Sequence, residues 1–219
     1  MTRAWTRATA DDPLDGLRDR LTAADCGHEP REGYEDHCWL LTPLYDDTGA
    51  RHRWRDVLTR AGTRLADRPR PFSYLSLEGV DGTDALDGVM GGEMDRATLT
   101  ALVPHLARHS PAGEATPCGA AQAPVTNSPG VPLGTDPEPA EDLIAWRGPL
   151  SGAAAHHEAA PHPCFPATWW AADGSWLVLT NVDLSATEVF GSGALITDLL
   201  ADRELEAVRA PTLAETFAP

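Results

Sequence analysis

The sequence predicts an α+β fold, in which helices flank a mainly antiparallel sheet that is interrupted by a long insertion rich in proline and glycine. Strand-like and helix-like patterns follow one another without the regular spacing of βαβ units. Strand patterns in the C-terminal third surround short turns, which is typical of antiparallel pairing. Residues 110–140 contain seven prolines and four glycines without apolar periodicity, which indicates a linker or surface insertion.

Two helices are predicted in the first third of the chain. Asp12 is a suitable N-cap, Pro13 suits the first helical position, and leucines recur behind them at helical spacing. The second predicted helix covers residues 53–66 and places Trp54, Val57, Leu58, Ala61 and Leu65 on one face. Three arginines lie on a neighbouring face of this helix, namely Arg53, Arg60 and Arg64.

Two further helices begin at recognisable cap residues. Asp95 precedes a stripe formed by Leu99, Leu102, Val103 and Leu106, and Pro104 inside this helix is expected to kink or split it. Ser192 precedes a stripe formed by Leu195, Ile196, Leu199 and Leu200.

Strands are predicted from apolar runs bounded by turn residues. Residues 37–45 form a buried strand interrupted by Pro43, and residues 72–77 form a second strand. A hairpin joins 168–171 to 176–182, and short strands cover 187–190 and 205–208. The Gly/Asp-rich segment 78–93 is expected to be a solvated loop.

These elements divide the chain into three parts. Residues 1–109 form an N-terminal α/β part, 110–140 the linker or insertion, and 141–219 a C-terminal ββαβ part. A chain of 219 residues also fits one continuous domain. No run of about 18 apolar residues exists, and the N-terminus lacks the apolar core of a secretory signal, so a cytoplasmic location without membrane contact is predicted.

The charge of the chain excludes several classes of function. All 17 basic residues are arginine, against 33 Asp and Glu, which gives a net charge of −16. This charge disfavours binding of long nucleic acids, and the absence of lysine excludes Schiff-base and P-loop chemistry. Residues 1–70 hold 12 arginines and 13 acidic residues, whereas residues 71–219 hold five arginines and 20 acidic residues, so nearly all of the negative charge lies after residue 70.

The C-terminal segment carries a resemblance. The run WWAADGSWLVLTNVDLSATEVFGSGALITDLL is similar to the C-terminal segment of a group of uncharacterised actinobacterial proteins, in a pattern WxxADxSWxxxTxxDLxxTxVxGS. The resemblance covers about a fifth of the chain. It implies a cytoplasmic bacterial protein and no particular activity.

Two His/Cys groups could supply metal ligands, since zinc takes four Cys or His ligands on short spacings. The candidates are Cys26, His28, His157, His162 and Cys164. Pro161 stands where the helical HExxH motif after His157 requires histidine, so no zinc-protease motif is present. We therefore favour loop histidines and reduced cysteines, and we predict no metal or other cofactor.

Motifs for nucleophilic catalysis and phosphate binding are missing from the sequence. Ser192 lacks the glycine two residues earlier that a nucleophile elbow needs. The remaining catalytic candidates are His37, Cys38, Asp173 and Asp183, because Cys–His pairs and acid/base partners need not be close in sequence.

Ligand-binding candidates come from the arginines and tryptophans. Seven arginines lie between residues 51 and 70, and Arg53, Arg60 and Arg64 could bind a small anion or dock an acidic segment, or form an ordinary solvated face. Three tryptophans share one predicted hairpin, namely Trp169, Trp170 and Trp176. Since Trp169 and Trp170 are adjacent, one faces the core and the other lines a groove or lies beneath a second layer.

The composition favours a non-catalytic binding protein that recognises a protein partner with a basic surface. An immunity-type inhibitor of a basic toxin fits this charge, because an acidic region steers cationic partners toward it. The alternative is a small enzyme of bacterial secondary metabolism, acting on an anionic or aromatic substrate in a pocket lined by the tryptophans and arginines.

Overall fold

The structure, a computed structural model, describes residues 5–7, 33–62, 64, 86–88, 94–122, 144–159, 168–181 and 186–209. The predicted helix after Asp12 and the predicted strand 72–77 lie outside these residues. Within them no helix has the length and apolar character needed to cross a membrane.

Eleven strands occur in the described part of the chain. They are β1 (Thr6–Arg7), β2 (Asp36–Leu41), β3 (Leu44–Asp46), β4 (Arg51–His52), β5 (Leu86–Gly88), β6 (Pro117–Gln122), β7 (Ile144–Pro149), β8 (Thr168–Ala171), β9 (Leu177–Asn181), β10 (Ala186–Gly191) and β11 (Ala207–Arg209). The α-helices in the same residues are α1 (Trp54–Arg60), α2 (Arg96–Arg108), α3 (Ala153–Ala159) and α4 (Gly193–Ala201).

Eight strands form one sheet in the order β1-β7-β6-β8-β9-β10-β2-β11, and each neighbouring pair is antiparallel. A second sheet has the order β4-β3-β5. The predicted α+β class with a mainly antiparallel sheet is therefore confirmed.

One face of the large sheet packs against helices α2 and α4, and we call it the helical face. Leucines of α2 and α4 meet side chains that alternate along the strands, as the period of two requires. The members of this cluster include Cys38, Leu40, Leu99, Leu102, Leu106, Trp169, Val178, Val189, Leu195, Ile196 and Leu199. Burial of each large side chain contributes about 1.5–3 kcal/mol. Because this layer buries more large side chains than the opposite face, it is the main core.

The opposite face is partly covered by α1, and we call it the α1 face. Trp39, Leu41 and Ala186 of the sheet pack there against Trp54 and Val57 of α1. Leu44 joins this cluster from β3, so the second sheet and α1 lie on the same side of the large sheet. Strands β2 and β10 contribute side chains to both faces, so these two strands join the two apolar clusters.

Local cap signals gave the correct starts of α2 and α4. The Asp95 side chain accepts a hydrogen bond from the Thr98 amide, and Ser192 Oγ accepts one from the Leu195 amide. Of the two effects expected of Pro104, a kink or a split, the split does not occur, since α2 runs continuously to Arg108. Proline removes one amide donor, and the fully buried Leu102 and Leu106 hold the helix on the sheet on both sides of it.

Three other expectations need correction. The α1 helix ends at Arg60 rather than at 66, because Gly62 adopts a φ of 72° that terminates it. The segment 78–93 contains β5, which pairs with β3. The N-terminal part of the segment expected to be a linker contains β6, a strand between β7 and β8. Strand β7 and helix α3 were not predicted.

Candidate functional site

The arginines that begin the Arg51–Arg70 stretch are held by carboxylates from the later part of the chain. Arg51 Nε donates to Asp95 Oδ2 at 2.9 Å. Arg53 donates to Glu204 Oε2 at 2.6 Å and to the Arg203 carbonyl at 3.2 Å. The side chains of Arg60 and Arg64 are exposed. Part of this stretch thus binds the acidic half of its own chain.

Asp95 is the centre of a hydrogen-bonded cluster. Its Oδ1 caps α2 by accepting from the Thr98 amide at 2.8 Å, and its Oδ2 also accepts from the Tyr45 hydroxyl at 2.8 Å. Burial acts to raise the pKa of Asp95, but the bonds from Thr98 and Tyr45 and the charge of Arg51 together hold it below its usual value. Burial and the bond to Asp95 raise the pKa of Tyr45 to about 12. Both groups therefore keep one protonation state near neutral pH.

A groove of about 640 Å³ opens beside this cluster, between the start of α2 and the β3–β4 hairpin. Its lining combines two arginines and two carboxylates with small apolar side chains. The lining residues are Tyr45, Arg51, Asp95, Arg96, Ala97, Thr100, Ala101 and Glu204. This volume lies in the range of small-molecule sites.

The start of α1, next to the groove, is capped by a carboxylate from the other end of the chain. Glu206 Oε2 accepts from the Trp54 amide at 2.8 Å, and its Oε1 accepts from the Arg55 amide at 2.7 Å. Burial raises the pKa of Glu206, and these two amides and Arg55 oppose that shift. The carboxylate compensates the positive end of the helix dipole and fixes α1 against the segment before β11.

Two polar side chains are buried on the α1 face of the sheet. Glu188 is 6% exposed and accepts from Trp39 Nε1 at 3.0 Å across the β10–β2 pair. The predicted catalytic residue His37 is also 6% exposed and stacks on Phe190 at 5.4 Å between ring centroids. In the register, His37 and Glu188 are diagonal neighbours, which places their Cβ atoms about 7–8 Å apart or somewhat closer.

The predicted nucleophile Cys38 lies on the helical face and is fully buried. Burial, with a smaller contribution from the charge of Asp36, raises the pKa of its thiol far above the usual value. Burial likewise raises the pKa of Cys118 to about 12. Reactive cysteines need a stabilised thiolate, so neither environment favours nucleophilic chemistry.

The three hairpin tryptophans lie inside the protein and not in the groove. Trp169 and Trp176 pack edge to face on the helical face, with centroids 5.1 Å apart, and Trp176 Nε1 donates to Ser110 Oγ at 2.8 Å. Trp170 points to the opposite face, as adjacent residues of a strand must, and is 6% exposed. It packs over Gly119 of β6, whose missing side chain makes room for it.

The other predicted site residues are dispersed or lie outside the description. Asp173 is exposed in the β8–β9 turn, where it accepts from the Ser175 amide. His157 belongs to α3. Outside the described residues lie Cys26, His28, His162, Cys164 and Asp183. In the part of the chain that the structure describes, no three His, Cys, Asp or Glu side chains form a group that could hold a metal ion.

The sequence identified some residues of this region but not their association. Asp95 was predicted only as a helix cap and Arg53 as a ligand candidate, while Tyr45, Arg51, Glu204 and Glu206 were not singled out as site residues. Their partners lie 44 to 152 residues apart along the chain, and no local pattern encodes such pairings.

The fold and this region define an α+β protein with a mixed-charge groove beside an arginine–carboxylate cluster. Comparison of the chain with models of protein families, with curated proteins and with solved structures finds no match in any of the three.

Proposed function

We propose that the chain is a binding protein that recognises a protein partner with a basic surface, in the manner of an immunity-type inhibitor of a basic toxin. The charge distribution carries this proposal. Among the described residues, 15 carboxylates stand against 11 arginines, and in the remaining residues 18 stand against six. Carboxylates are therefore in excess both inside and outside the described residues.

Among the described residues, the displaced pKa values do not indicate a catalytic acid or base. General acids and bases work best with a pKa near the working pH. Among the described groups with a displaced pKa, those of Tyr45 and Cys118 are raised away from neutrality, and those of Asp95, Asp198 and Asp202 are lowered. The pKa of Glu206 moves toward neutrality, and its carboxylate is engaged as the cap of α1.

The expected interaction is fast and sensitive to salt. A strongly acidic protein attracts a cationic partner over distances of about 10 Å at 0.1 M ionic strength, which raises the association rate before any contact forms. Dissociation depends on contacts at close range and is much less sensitive to salt.

The experiment measures binding of the purified chain to the product of each neighbouring gene in its genome. We expect one basic product to bind, with an association rate that falls at least about tenfold between 20 and 500 mM NaCl. Absence of binding to any basic neighbour, or a rate independent of salt, would contradict the proposal.

A set of charge variants supplies the control. Residues 123–143 carry four carboxylates and no arginine, namely Asp136, Glu138, Glu141 and Asp142. Their replacement by Asn and Gln should slow association, whereas exchange of Asp for Glu and Glu for Asp should leave the rate unchanged. If the charge-neutralising and the charge-conserving variants change the association rate equally, side-chain shape and not charge determines the effect of this segment on association.

A further inference from the structure

We propose that the outer edge of β11 is the surface on which the basic partner docks, by adding a strand with cationic side chains to the large sheet. The inference takes the class of partner from the function proposed above, and it adds where and how that partner binds. In this mode of recognition, main-chain hydrogen bonds along a sheet edge supply affinity, and the alternate side chains of the added strand supply specificity.

The first argument is the position of β11 in the large sheet. This strand is last in the sheet order, and in the described part of the chain β2 is the only strand that pairs with it. Ala207 and Val208 are half-buried and Arg209 is exposed, whereas residues 37–41 of the neighbouring β2 are all buried. The edge formed by β11 is therefore accessible from solvent.

The second argument is the register, which shows which main-chain groups of β11 face away from the sheet. The Leu41 amide donates to the Glu206 carbonyl at 3.0 Å across the β11–β2 pair. Bonded and non-bonded positions alternate in an antiparallel pair, so Glu206 and Val208 direct their main-chain groups toward β2. The amide and carbonyl groups of Ala207 and Arg209 lie at the intervening positions and point away from β2. Such a row of groups is a template for a strand of another chain.

The third argument is charge, which decides between a second copy of the chain and a basic partner as the added strand. Two copies of charge −16 repel each other, and pairing through β11 would bring them side by side. Residues 202–209 and the residues 35–36 before and at the start of β2 hold five carboxylates against two arginines. Arg53 adds a third arginine through its bond to Glu204, whose side chain is still 70% exposed. A strand with cationic side chains is therefore attracted where a second copy is repelled.

Both faces of β11 also offer apolar contact to an added strand. Ala207 packs at the border of the cluster on the helical face, and Val208 packs at the border of the cluster on the α1 face. Apolar side chains of an added strand would contact one of these two residues, because side chains directly opposite each other on neighbouring strands interact. The added strand should therefore alternate apolar and cationic residues.

The probe is a fluorescein-labelled peptide in which valine and lysine alternate, and its control is the peptide with glutamate in place of lysine. Binding to the full chain is followed by fluorescence anisotropy. We expect saturable binding of the lysine peptide with a Kd on the order of 0.1–1 mM, and at least about tenfold weaker binding of the glutamate peptide. Equal affinity for the two peptides, or no saturation by the lysine peptide, would overturn the inference.

Two variants at Arg209 separate strand addition from general attraction to an acidic protein. Arg209→Pro and Arg209→Ala remove the same charge, but only proline also removes the outward amide donor and places ring atoms there. Both variants should keep the melting temperature of β11–β2 pairing close to one another, since this amide does not bond to β2. We expect Arg209→Pro to bind the lysine peptide about fivefold more weakly than Arg209→Ala. Equal binding by the two variants would show general charge attraction and overturn the inference.

Hydrogen exchange of the parent chain, resolved by NMR, tests the same register without a substitution. The amides of Ala207 and Arg209 should exchange quickly in the free protein and about fivefold or more slowly with saturating lysine peptide, because they become hydrogen-bonded. The Val208 amide faces β2 and should exchange slowly in both states. Unchanged exchange of Ala207 and Arg209 in the presence of bound peptide would place the peptide elsewhere and overturn the inference.

The same variants distinguish failure of this inference from failure of the proposed function. A basic gene product that binds with the expected salt dependence, but equally to Arg209→Pro and Arg209→Ala, would leave the proposed function in place and overturn β11 as its docking surface. Edge-dependent binding of the lysine peptide without any basic product that binds would contradict the proposed function and support the edge as a site for cationic strands. A dimer of the chain alone that is lost in Arg209→Pro would identify a second copy as the occupant and overturn the inference.

Discussion

Single residues from distant parts of the chain hold the groove region together. Asp95 joins the start of α2 to Tyr45 and Arg51 of the β3–β4 hairpin, and Glu206 joins α1 to the segment before β11. Each carboxylate makes several charge-assisted bonds at once, which are stronger than bonds between neutral groups. Asp95 and Glu206 therefore fix the relative positions of the elements they join, in addition to contributing negative charge.

Gly119 is a second single residue on which the packing depends, because any side chain larger than hydrogen would clash with the Trp170 ring. A Cβ atom added there would lie 2.1 Å from Cζ2 of Trp170, whose ring is packed in a buried position. We expect Gly119→Ala to lower the free energy of unfolding by about 1–3 kcal/mol or more, measured by urea denaturation.

The matched control for this substitution is Gly193→Ala at the first position of α4. An added Cβ there has its nearest neighbour, Glu35 Oε2, at 3.7 Å, so there is room for it. Alanine in place of glycine should be neutral or stabilising by up to about 1 kcal/mol. A Gly119→Ala variant as stable as Gly193→Ala would mean that the Trp170 ring can move aside at little cost.

Among the elements, α2 and α4 are joined at their C-terminal ends by two histidine–carboxylate pairs. His105 Nε2 lies 2.6 Å from Asp202 Oδ2, and His109 Nε2 lies 2.8 Å from Asp198 Oδ2. Asp202 Oδ1 also accepts from the Glu204 amide at 2.6 Å. This bond fixes the turn through which the chain passes from α4 to Glu206. The pairs therefore stabilise both the helix layer and the approach to the groove.

The Asp202 pair should make stability depend on pH in the acid range. Burial acts to raise the pKa of Asp202, but bonds from His105 and the Glu204 and Leu205 amides hold it below its usual value of 3.8. A carboxyl with a lowered pKa contributes stability above its unfolded pKa, and that contribution is lost as the pH falls through the folded value. Asp202→Asn should therefore cost about 0.5–1 kcal/mol at pH 6–7 and progressively less below pH 4, in urea denaturation at each pH.

Asp47→Asn provides the comparison for this experiment, since Asp47 is exposed in the β3–β4 turn. Its effect should be small and nearly constant over the same pH range. A constant loss in Asp202→Asn down to pH 2.5 would show that the residue acts through its shape and amide bonds and not through its charge.

How far each element could be predicted depends on whether its signal is local. The starts of α2 and α4 were predicted from Asp95 and Ser192, because a cap bonds an amide three residues away. Strand β6 was not predicted, because its sequence PCGAAQ contains no large apolar side chain, and the apolar bulk over Gly119 comes from Trp170 of the neighbouring strand β8.

The candidate site was predicted less completely than the fold for the same reason. The sequence marks the arginine stretch as the dense cationic element, and it does not specify which carboxylates bind it. Arg53 meets Glu204 only because β11 returns to pair with β2 beside α1. Such contacts depend on the strand order of the whole sheet, which the periodicity of separate segments does not encode.

At the scale of the whole molecule, net charge and internal ion pairs have opposite dependences on salt. The charge of −16 places repulsive carboxylates on one small protein, and this repulsion destabilises the compact state. Salt screens the repulsion, but it also weakens pairs such as Arg53–Glu204, in which Glu204 is largely exposed. Exposed pairs contribute only about 0–1 kcal/mol each, so relief of the repulsion should be the larger effect.

We therefore expect NaCl to stabilise the protein at pH 7, with a melting temperature that rises roughly 2–5 °C between 20 and 300 mM, equivalent to about 1 kcal/mol. The chloride salt is required, because sulfate would also strengthen burial of apolar surface. Near the isoelectric point of about 4.7 the net repulsion vanishes, and the same addition of NaCl should give no increase. A melting temperature that falls with NaCl at pH 7 would instead show that the bonds of Asp95, Glu204 and Glu206 outweigh the repulsion, and that the carboxylates stabilise this fold more than they strain it.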